Sequence, residues 1–316
     1  MTALRITETE GALVVRAGDV EIARYVLRPD APASEAPKPY LHPLRTLGGA
    51  IVTGYRPWDH RWHKGLQMTW SHVSGQNFWG GPTFAPETGY AWQDNLGRIE
   101  HEGFTAEHDE GADARFRERL GWVTSRGERW LDEQREHRFH HADPFRGLWA
   151  LDVATTLRNV RGSELRLGSP TTAGRENAGY TGWFWRAPRS WTGCAVHSAL
   201  GLGTEAGTGE AGADDPSRGV DAVMGTEQPW VALVSEHDDI DGAATLLALA
   251  GTSSALGPIR WFVRSQPFPV LAPSPAFAEE IVLAPEEELH LRHRFVVVDE
   301  GLDAAGIRAL AEEFAL

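Results

Sequence analysis

The sequence has 316 residues, of which 41% are hydrophobic and 23% are charged, so it can bury a substantial hydrophobic core. It carries 30 basic and 44 acidic residues, a formal net charge of −14, which argues against nucleic acid and against an anionic membrane surface as partners. The single cysteine, Cys194, excludes an internal disulfide, a multi-cysteine zinc site and a cysteine-ligated iron–sulfur cluster.

No apolar run approaches the roughly 20 residues that a membrane-spanning helix needs. Residues 1–10 are polar and contain no apolar signal core. We therefore expect a cytoplasmic protein without a membrane partner, and the sequence leaves its oligomeric state open. Thirteen tryptophans are many for a chain of this length. They indicate either a wide core or a surface on which sugar rings stack.

Alternating apolar and polar residues predict β-strands over most of the chain, taken here in order. The alternation is clear at residues 115–122, and it returns at 149–159 and at 289–297. The charged stretch between the first two, residues 130–139, is predicted to be an exposed or edge strand.

Two other segments differ from this pattern. Residues 201–219 are rich in Gly, Ala, Asp and Glu, and we predict a flexible loop there. Asp303 is a suitable N-cap for a short C-terminal helix carrying Ile307, Leu310 and Phe314. Residues 1–316 are therefore predicted to form a single all-β sandwich domain, mostly antiparallel, with one short terminal helix.

Candidate functional residues concentrate between residues 40 and 104. His60 and His63 are separated by two residues, and His42, His72, His101 or Glu102 could supply further nitrogen or oxygen ligands to one divalent metal ion. The second interpretation is acid–base catalysis, because a histidine both takes and gives protons near neutral pH. The third is that these histidines and tryptophans are core residues. The sequence alone leaves all three open.

A second cluster of polar residues lies between glycines at residues 174–186. Arg175, Asn177 and Arg186 are candidates for contacts with a ligand, or for solvated positions in a tight turn. The sequence contains no phosphate-binding glycine loop, no dinucleotide fingerprint and no Gly-x-Ser-x-Gly motif. No nucleotide cofactor is therefore expected.

Several segments resemble one family of bacterial proteins, domain of unknown function 6807, whose members are often labelled methane oxygenase PmoA. The resemblance covers roughly residues 20–298. It is carried by residues 39–45 (PYLHPLR), 59–65 (DHRWHKG), 177–180 (NAGY), 184–186 (FWR), 261–265 (WFVRS) and 273–274 (PS). Members often occur beside sugar oxidoreductases, which implies a role in carbohydrate metabolism. A particulate methane oxygenase subunit is an integral membrane protein, so the oxygenase label does not suit this sequence.

A looser similarity connects the chain to the galactose mutarotase-like β-supersandwich. His63, Lys64 and Gly65 are similar to the His-Gly segment of those enzymes, and residues 277–295 are similar to their C-terminal ending. The resemblance implies an open sugar-binding cleft on a concave sheet. The usual catalytic glutamate would fall near Gln266, where this sequence has Arg264 and Ser265, so the usual epimerase pair is absent.

We therefore predict an enzyme that acts on a sugar or keto-sugar by histidine chemistry, with or without a metal, through isomerisation, elimination or hydrolysis. The alternatives are a non-catalytic carbohydrate-binding or sensing protein and a metal-dependent oxygenase. Predicted catalytic residues are His42, His60, His63 and His72, of which the last three could also bind the metal. Predicted substrate-binding residues are Arg45, Asp59, Trp70, Asn77, Trp79, His101, Arg175, Asn177, Arg186 and Arg264.

Overall fold

Antiparallel strands make up most of the structure, a computed structural model that describes residues 1–106, 108–200, 216–237, 242–251 and 259–316. In chain order the strands are β1 (Leu4–Thr9), β2 (Ala12–Ala17), β3 (Val20–Val26), β4 (Tyr40–Leu44), β5 (Leu66–Thr69), β6 (His72–Val73), β7 (Thr83–Ala85), β8 (Gly89–Ala91), β9 (Arg98–Phe104), β10 (Ala114–Val123), β11 (Arg129–Asp143), β12 (Leu148–Asn159), β13 (Leu165–Gly168), β14 (Gly182–Arg186), β15 (Ala195–Ser198), β16 (Trp230–His237), β17 (Gly242–Ala250), β18 (Arg260–Arg264), β19 (Val270–Ser274), β20 (Ile281–Leu283) and β21 (Glu288–Val298). The helices are α1 (Pro216–Val223) and α2 (Ala304–Glu313).

Two eight-stranded sheets form the body of the protein. The first has the strand order β1-β2-β3-β4-β5-β14-β19-β18, and the second has the order β15-β16-β17-β21-β12-β11-β10-β9. Side chains from both sheets, such as Val15 and Leu41 from the first and Leu120 and Phe295 from the second, share one buried hydrophobic cluster. The prediction of an all-β, mostly antiparallel fold is confirmed.

The end of the first sheet is buried on both of its faces. In β14, Trp183 and Trp185 point into the cluster between the sheets. Phe184, one residue away, belongs to a second cluster on the opposite face, together with Phe262 and Phe268. Since successive side chains of a strand alternate between faces, this end of the sheet carries an apolar outer surface as well as an inner one.

The charged strand β11 is an interior strand, so the prediction of an exposed or edge strand at residues 130–139 is wrong. It pairs with β10 on one side and with β12 on the other. Glu133, Arg135 and His137 point inward and are buried. The sequence suggested exposure because charge usually marks a solvated face, whereas here Arg135 Nε donates to Glu133 Oε1 at 2.7 Å inside the protein.

The predicted loop at residues 201–219 is tested only at its end, because residues 201–215 lie outside the described residues. Residues 216–219 do not continue a loop but begin α1. This helix buries Val223 against the core. A Cβ atom on Gly219 would lie 2.7 Å from the carbonyl oxygen of Val196, so the close approach of helix and strand requires glycine there.

The C-terminal helix α2 is confirmed. The carboxylate of Asp303 accepts a hydrogen bond from the Gly306 amide at 2.8 Å and caps the helix. Ile307, Leu310 and Phe314 then pack against the outer face of the second sheet in a separate apolar cluster. Within the described part of the chain, neither helix has the length and apolar character required to cross a membrane.

Candidate functional site

A cleft of about 440 Å³ opens on the outer face of the first sheet, above β14, β18 and β19. This volume lies in the range of small-molecule sites. The lining is mostly aromatic, with two histidines, two arginines and one carboxylate. The lining residues are Asp59, His60, Trp62, His63, Trp79, Pro82, Tyr90, Arg175, Tyr180, Phe184, Phe262, Arg264, Pro267, Phe268 and Val270.

Two successive turns bring both histidines of one wall to the cleft. The His60 amide donates to the carbonyl of Pro57 at 3.0 Å, and the His63 amide donates to the carbonyl of His60 at 2.9 Å. The ring centroids of His60 and His63 are consequently 4.8 Å apart. Local backbone geometry is therefore enough to convert the two-residue gap in the sequence into a side-chain pair.

Buried charges anchor this wall from below. Glu35 forms ion pairs with Arg56 at 2.6 Å and with Lys64 at 3.0 Å, and both Glu35 and Lys64 are buried. Lys38, also buried, donates to the carbonyl of Trp79 at 2.9 Å. Burial lowers the pKa of both lysines. Both lysines of the sequence thus support the cleft without lining it.

The two cleft histidines are neutral at pH 7. Burial lowers the pKa of His63 well below its ordinary value and also lowers the pKa of His60. The His63 ring is enclosed by Phe184 at 4.9 Å and Trp79 at 5.4 Å between ring centroids. Among the described residues, its Nδ1 atom has no hydrogen-bond partner. A neutral imidazole is the form that accepts a proton from a substrate.

Asp59 provides a fixed negative charge beside His60. Its Oδ2 atom lies 3.3 Å from His60 Nδ1, which is within ion-pair distance although the two are not aligned as a hydrogen bond. Burial raises the pKa of Asp59, but the hydrogen bond from Arg189, a backbone hydrogen bond and the charges of His60 and Arg189 together lower it further, so the net pKa lies below its ordinary value. Asp59 is therefore ionised and can stabilise a protonated His60.

Asn77 shapes the opposite wall without touching the cleft. Its Oδ1 atom accepts hydrogen bonds from the amides of Trp79 at 2.8 Å and Gly80 at 3.0 Å. Its Nδ2 atom donates to Thr83 Oγ1 at 2.9 Å. These contacts hold the Trp79 indole against the ring of Tyr180, with 4.6 Å between the ring centroids.

Two arginines lie at the Tyr180 end of the cleft. The Arg175 guanidinium lies over the ring of Tyr90 at 4.7 Å and donates to the Tyr90 hydroxyl. That hydroxyl is 2.6 Å from the hydroxyl of Tyr180. Arg264 lies 5.3 Å from the centre of the Phe262 ring. Burial lowers the pKa of Arg264, and the nearby charge of Arg175 lowers it further.

Arg186 lies behind the other end of the cleft. It is buried, and its guanidinium sits 4.1 Å from the centre of the Phe268 ring, which lines the cleft. All three of its side-chain nitrogens lack a hydrogen-bond partner among the described residues. Burial lowers the pKa of Arg186 to about 10. Arg186 therefore adds positive charge behind the cleft without lining it.

The structure does not bring His72 to the histidine pair. Its Nδ1 atom is 3.0 Å from Ser71 Oγ, and its Nε2 atom is 3.0 Å from the carbonyl oxygen of Phe84. Both ring nitrogens are thus occupied by the protein itself. In the described residues, no group of three or more His, Cys, Asp or Glu side chains is arranged to bind a metal ion. The predicted set of His60, His63 and His72 is not assembled.

Four more predicted residues, described in turn here, also lie outside the cleft lining. His42 Nδ1 lies 2.9 Å from Thr53 Oγ1, and burial lowers the pKa of His42 to about 4. Arg45 donates to the carbonyl of Gly49 at 3.0 Å. His101 Nδ1 is 2.6 Å from Glu118 inside the protein. Asn177 is exposed in a left-handed turn with φ 52°.

Trp70 requires a correction as a predicted stacking residue. It is fully buried between the sheets, and its indole nitrogen donates to the carbonyl of Gly168 at 2.9 Å. It is therefore a core residue that no ligand in the cleft can contact. Trp62, which was not among the predicted substrate-binding residues, lines the cleft.

Several lining residues were not singled out from the sequence. Tyr180, Phe184 and Phe262 lie within segments that carried the family resemblance, and that was the available signal. Phe268 had no such signal, because it reaches the cleft only through the pairing of β18 with β19.

Comparisons with known proteins assign the family. A family model described as "Family of unknown function (DUF6807)" matches residues 12–312, so the chain belongs to this family. None of the curated proteins matches the sequence. The family model gives no support to the oxygenase label, and the mutarotase-like relation stays a prediction.

Among solved structures, the chain is similar to the GH36 α-galactosidase AgaA from Geobacillus stearothermophilus, with 11% identity and a TM-score of 0.38 over 94% of this chain and 41% of that one. The chain is also similar to an α-galactosidase from Lactobacillus brevis, with 8% identity and a TM-score of 0.36 over 94% of this chain and 40% of that one. A third similar structure is that of a protein designated HI1317, with 8% identity and a TM-score of 0.33 over 94% of this chain and all of that one. This chain spans about two fifths of either α-galactosidase. TM-scores below 0.5 carry no argument about function.

Proposed function

We propose that this member of the DUF6807 family is an enzyme that moves a proton on a sugar or keto-sugar, with His60 and His63 as its acid–base groups. One observation carries the proposal: two neutral histidines lie 4.8 Å apart on the wall of an aromatic cleft of about 440 Å³. Groups placed to react with a small molecule, in a site that excludes most water, are typical of an active site.

The aromatic walls suit the apolar faces of a sugar ring. Trp62, Trp79 and Phe184 line the cleft beside the histidine pair. Carbon-bound hydrogens of a pyranose pack against such rings, while the hydroxyl groups of the sugar need polar partners. Asp59, the two histidines and the arginines supply those partners at the edges of the aromatic surface.

The proposed chemistry begins with proton removal next to a carbonyl group. Neutral His60 takes the proton from carbon, and the electron pair moves to the carbonyl oxygen to form an enediolate. Asp59 stabilises the resulting imidazolium, and neutral His63 donates a hydrogen bond to the developing oxyanion. For isomerisation, His60 returns its proton to the former carbonyl carbon, while His63 gives its N–H proton to the oxyanion and takes the hydroxyl proton from the neighbouring oxygen, which becomes the new carbonyl oxygen. For elimination, the electron pair returns from the oxyanion and expels a hydroxyl group from the next carbon, and His60 protonates that group so that it leaves as water.

Solvent deuterium exchange tests this chemistry directly. Keto- and aldo-sugars, with and without an acidic group, are incubated with the protein in D₂O, and loss of the carbon-bound proton is followed by NMR. The proposal expects exchange with at least one substrate. His60→Gln should lower the exchange rate by about 10²–10⁴-fold, the usual contribution of a general base. His290→Gln, at an exposed position of β21, is the matched control and should leave the rate unchanged.

The same assay separates an enzyme from a binding protein. Binding should survive in His60→Gln, since this change removes proton transfer but leaves the aromatic walls in place. A ligand that binds tightly but never exchanges a proton would contradict catalysis and favour a carbohydrate-binding protein. Exchange that persists in both His60→Gln and His63→Gln would also overturn the proposal.

A further inference from the structure

The cleft has an excess of positive charge in a protein whose overall charge is strongly negative. Arg175 and Arg264 line it, and Arg186 lies behind it. None of the three forms an ion pair with a described residue, whereas most other arginines near the surface do so. The sequence contains 44 acidic residues. Among the described ones, Asp59 acts on Arg186 through its charge alone, and Arg175 and Arg264 have no carboxylate at ion-pair distance.

The arrangement at the Tyr180 end is unfavourable without an anion. Asp59 is the one carboxylate among the described lining residues, and it already pairs with Arg189. Arg175 and Arg264 therefore place two positive charges in one partly buried region: burial lowers the pKa of Arg264, and the charge of Arg175 lowers it further. A bound oxyanion would remove both the repulsion and the lack of ion-pair partners.

Hydroxyl donors complete this end of the cleft. Burial raises the pKa of Tyr180 well above its ordinary value, so its hydroxyl stays protonated. The Tyr90 hydroxyl lies 2.6 Å from it and accepts a hydrogen bond from Arg175. Two guanidinium groups and two phenol groups thus face a space in which the described residues place no negative charge.

We propose that the arginine end of the cleft, defined by Tyr90, Arg175, Tyr180 and Arg264, binds an oxyanion carried by the substrate, either a carboxylate or a phosphate. The inference rests on the proposed function, because it identifies the substrate as an acidic sugar. Arginine binds either group through paired N–H donors, which fixes its orientation as well as its charge.

The position of this end also orients the substrate. The Trp79 ring contacts His63 on one side, at 5.4 Å, and Tyr180 on the other, at 4.6 Å. The oxyanion and the histidine pair are thus separated by a single indole, an aromatic surface suited to one sugar ring. The acidic group would be held at one end of the sugar while the carbon next to the carbonyl meets His60 at the other.

Calorimetric titration tests the inference with D-glucuronate, D-glucose 6-phosphate and D-glucose as probes. We expect at least one acidic sugar to bind at least tenfold more tightly than D-glucose, and its binding to weaken as salt concentration rises. Arg264→Gln should weaken that binding by about 10- to 100-fold, which is the typical loss of a hydrogen bond to a charged group. The same change should weaken the binding of D-glucose, which carries no charge, by less than about threefold.

Two further variants distinguish a specific loss of binding from a general loss of folding. Arg260→Gln changes the same residue type on the same strand, but Arg260 is paired with Glu227 and does not line the cleft, so acidic-sugar binding should remain. Arg264→Lys retains the charge and should recover part of the affinity. The comparison of D-glucuronate with D-glucose 6-phosphate shows whether a carboxylate or a phosphate is preferred.

The outcomes separate this inference from the proposed function. Acidic sugars that bind through Arg264 but exchange no proton would support the oxyanion site and contradict the enzyme. Proton exchange on acidic sugars, at a rate that Arg175→Gln and Arg264→Gln do not change, would support the enzyme and overturn the oxyanion site. Equal affinity for D-glucose and both acidic sugars would also overturn it.

Discussion

The cleft and the protein interior contain the same types of residue but use them differently. The interior polar cluster, defined by Tyr25, His101, Glu118, Glu133 and Arg135, lies between the two sheets and is buried. Its members bond to one another. His101 Nδ1 is 2.6 Å from Glu118, Arg135 donates to the Tyr25 hydroxyl at 2.9 Å, and two Arg135 nitrogens reach Glu133 at 2.7 and 2.8 Å.

In the cleft, by contrast, polar groups remain without partners. His63 Nδ1 has none among the described residues, and neither Arg175 nor Arg264 forms an ion pair there. Buried polar groups in proteins are nearly always satisfied, so an unsatisfied set beside an open cavity indicates a missing ligand. The difference shows that residue type alone does not distinguish a binding site from a polar core, because what marks the cleft is a set of unpaired polar groups beside an open cavity.

The largest expected effect comes from breaking the interior polar cluster. Glu133→Gln leaves the buried Arg135 without its counter-charge and should lower the free energy of unfolding by about 3–5 kcal/mol. Urea denaturation measures this. Glu313→Gln, which breaks the exposed pair with Arg146, is the control and should cost below about 1 kcal/mol. A small loss in Glu133→Gln would show that the two regions do not differ as described.

The next largest effect is expected from acid, which should destabilise the protein through a buried interior histidine. Interior histidines are not all satisfied: His293 is buried with no partner on either ring nitrogen among the described residues, and burial lowers its pKa to about 3. In the unfolded chain its pKa is near 6.5. Between these two pKa values the unfolded state binds a proton at His293 and the folded state does not. The free energy of unfolding therefore falls as the pH drops from about 6.5 toward about 3.

Replacing this group should reduce the sensitivity to acid. His293→Leu should remove up to about 1.4 kcal/mol per pH unit from the slope of unfolding free energy between about pH 6 and pH 4. His290→Gln, on the exposed side of the same strand, should leave the slope unchanged. Denaturation curves at several pH values measure both. An unaltered slope in His293→Leu would mean that His293 is protonated in the folded protein.

A smaller effect separates the two tryptophans that sequence and structure assign differently. Trp70→Phe removes the donor to the carbonyl of Gly168 and should cost about 1–3 kcal/mol of stability, with sugar binding retained. Trp62→Ala, in the cleft lining, should instead weaken sugar binding. Thermal melts measure the stability of both variants, and titrations measure their sugar binding. A loss of binding in Trp70→Phe would contradict the placement of Trp70 in the core.

The smallest expected effect on catalysis is at His72. His72→Gln loses contacts with Ser71 and Phe84 and should lower stability by about 1 kcal/mol. The deuterium exchange rate should stay within about twofold of the wild-type rate, because the side chain does not line the cleft. An exchange rate that falls as far as in His60→Gln would place His72 in the reaction after all.

The sequence was sufficient where structure depends on local pattern. The alternation in β10, β12 and β21 and the Asp303 cap gave the strands and the terminal helix, since both features depend on near neighbours. Strand β11 was mispredicted because its inward charges, Glu133 and Arg135, neutralise each other on the buried face and are hydrogen-bonded by neutral groups of other strands. The pairing of Tyr25 with Arg135, 110 positions apart, leaves no signal in a short window of sequence.

The candidate site was likewise predictable where near neighbours position its residues and not where distant contacts do. Asp59, His60 and His63 reach the cleft together because one pair of turns holds them. His42, His72 and His101 were grouped with them by proximity in the sequence, yet each has its own local partner: Thr53, Ser71 and Glu118 respectively. Proximity along a β-rich chain is a poor guide to proximity in space, because adjacent residues on a strand face opposite sides.

That alternation has a practical consequence at the cleft end of the first sheet. Trp183, Trp185, Trp261 and Val263 belong to the core between the sheets, whereas Phe184 and Phe262 face the cleft. Mutational libraries confined to positions 184, 262, 264 and 270 should therefore change ligand preference with little loss of folding, while libraries at 183, 185, 261 and 263 should yield mostly insoluble protein. Natural substitutions at the cleft-facing positions can likewise change ligand preference while the neighbouring core positions stay the same.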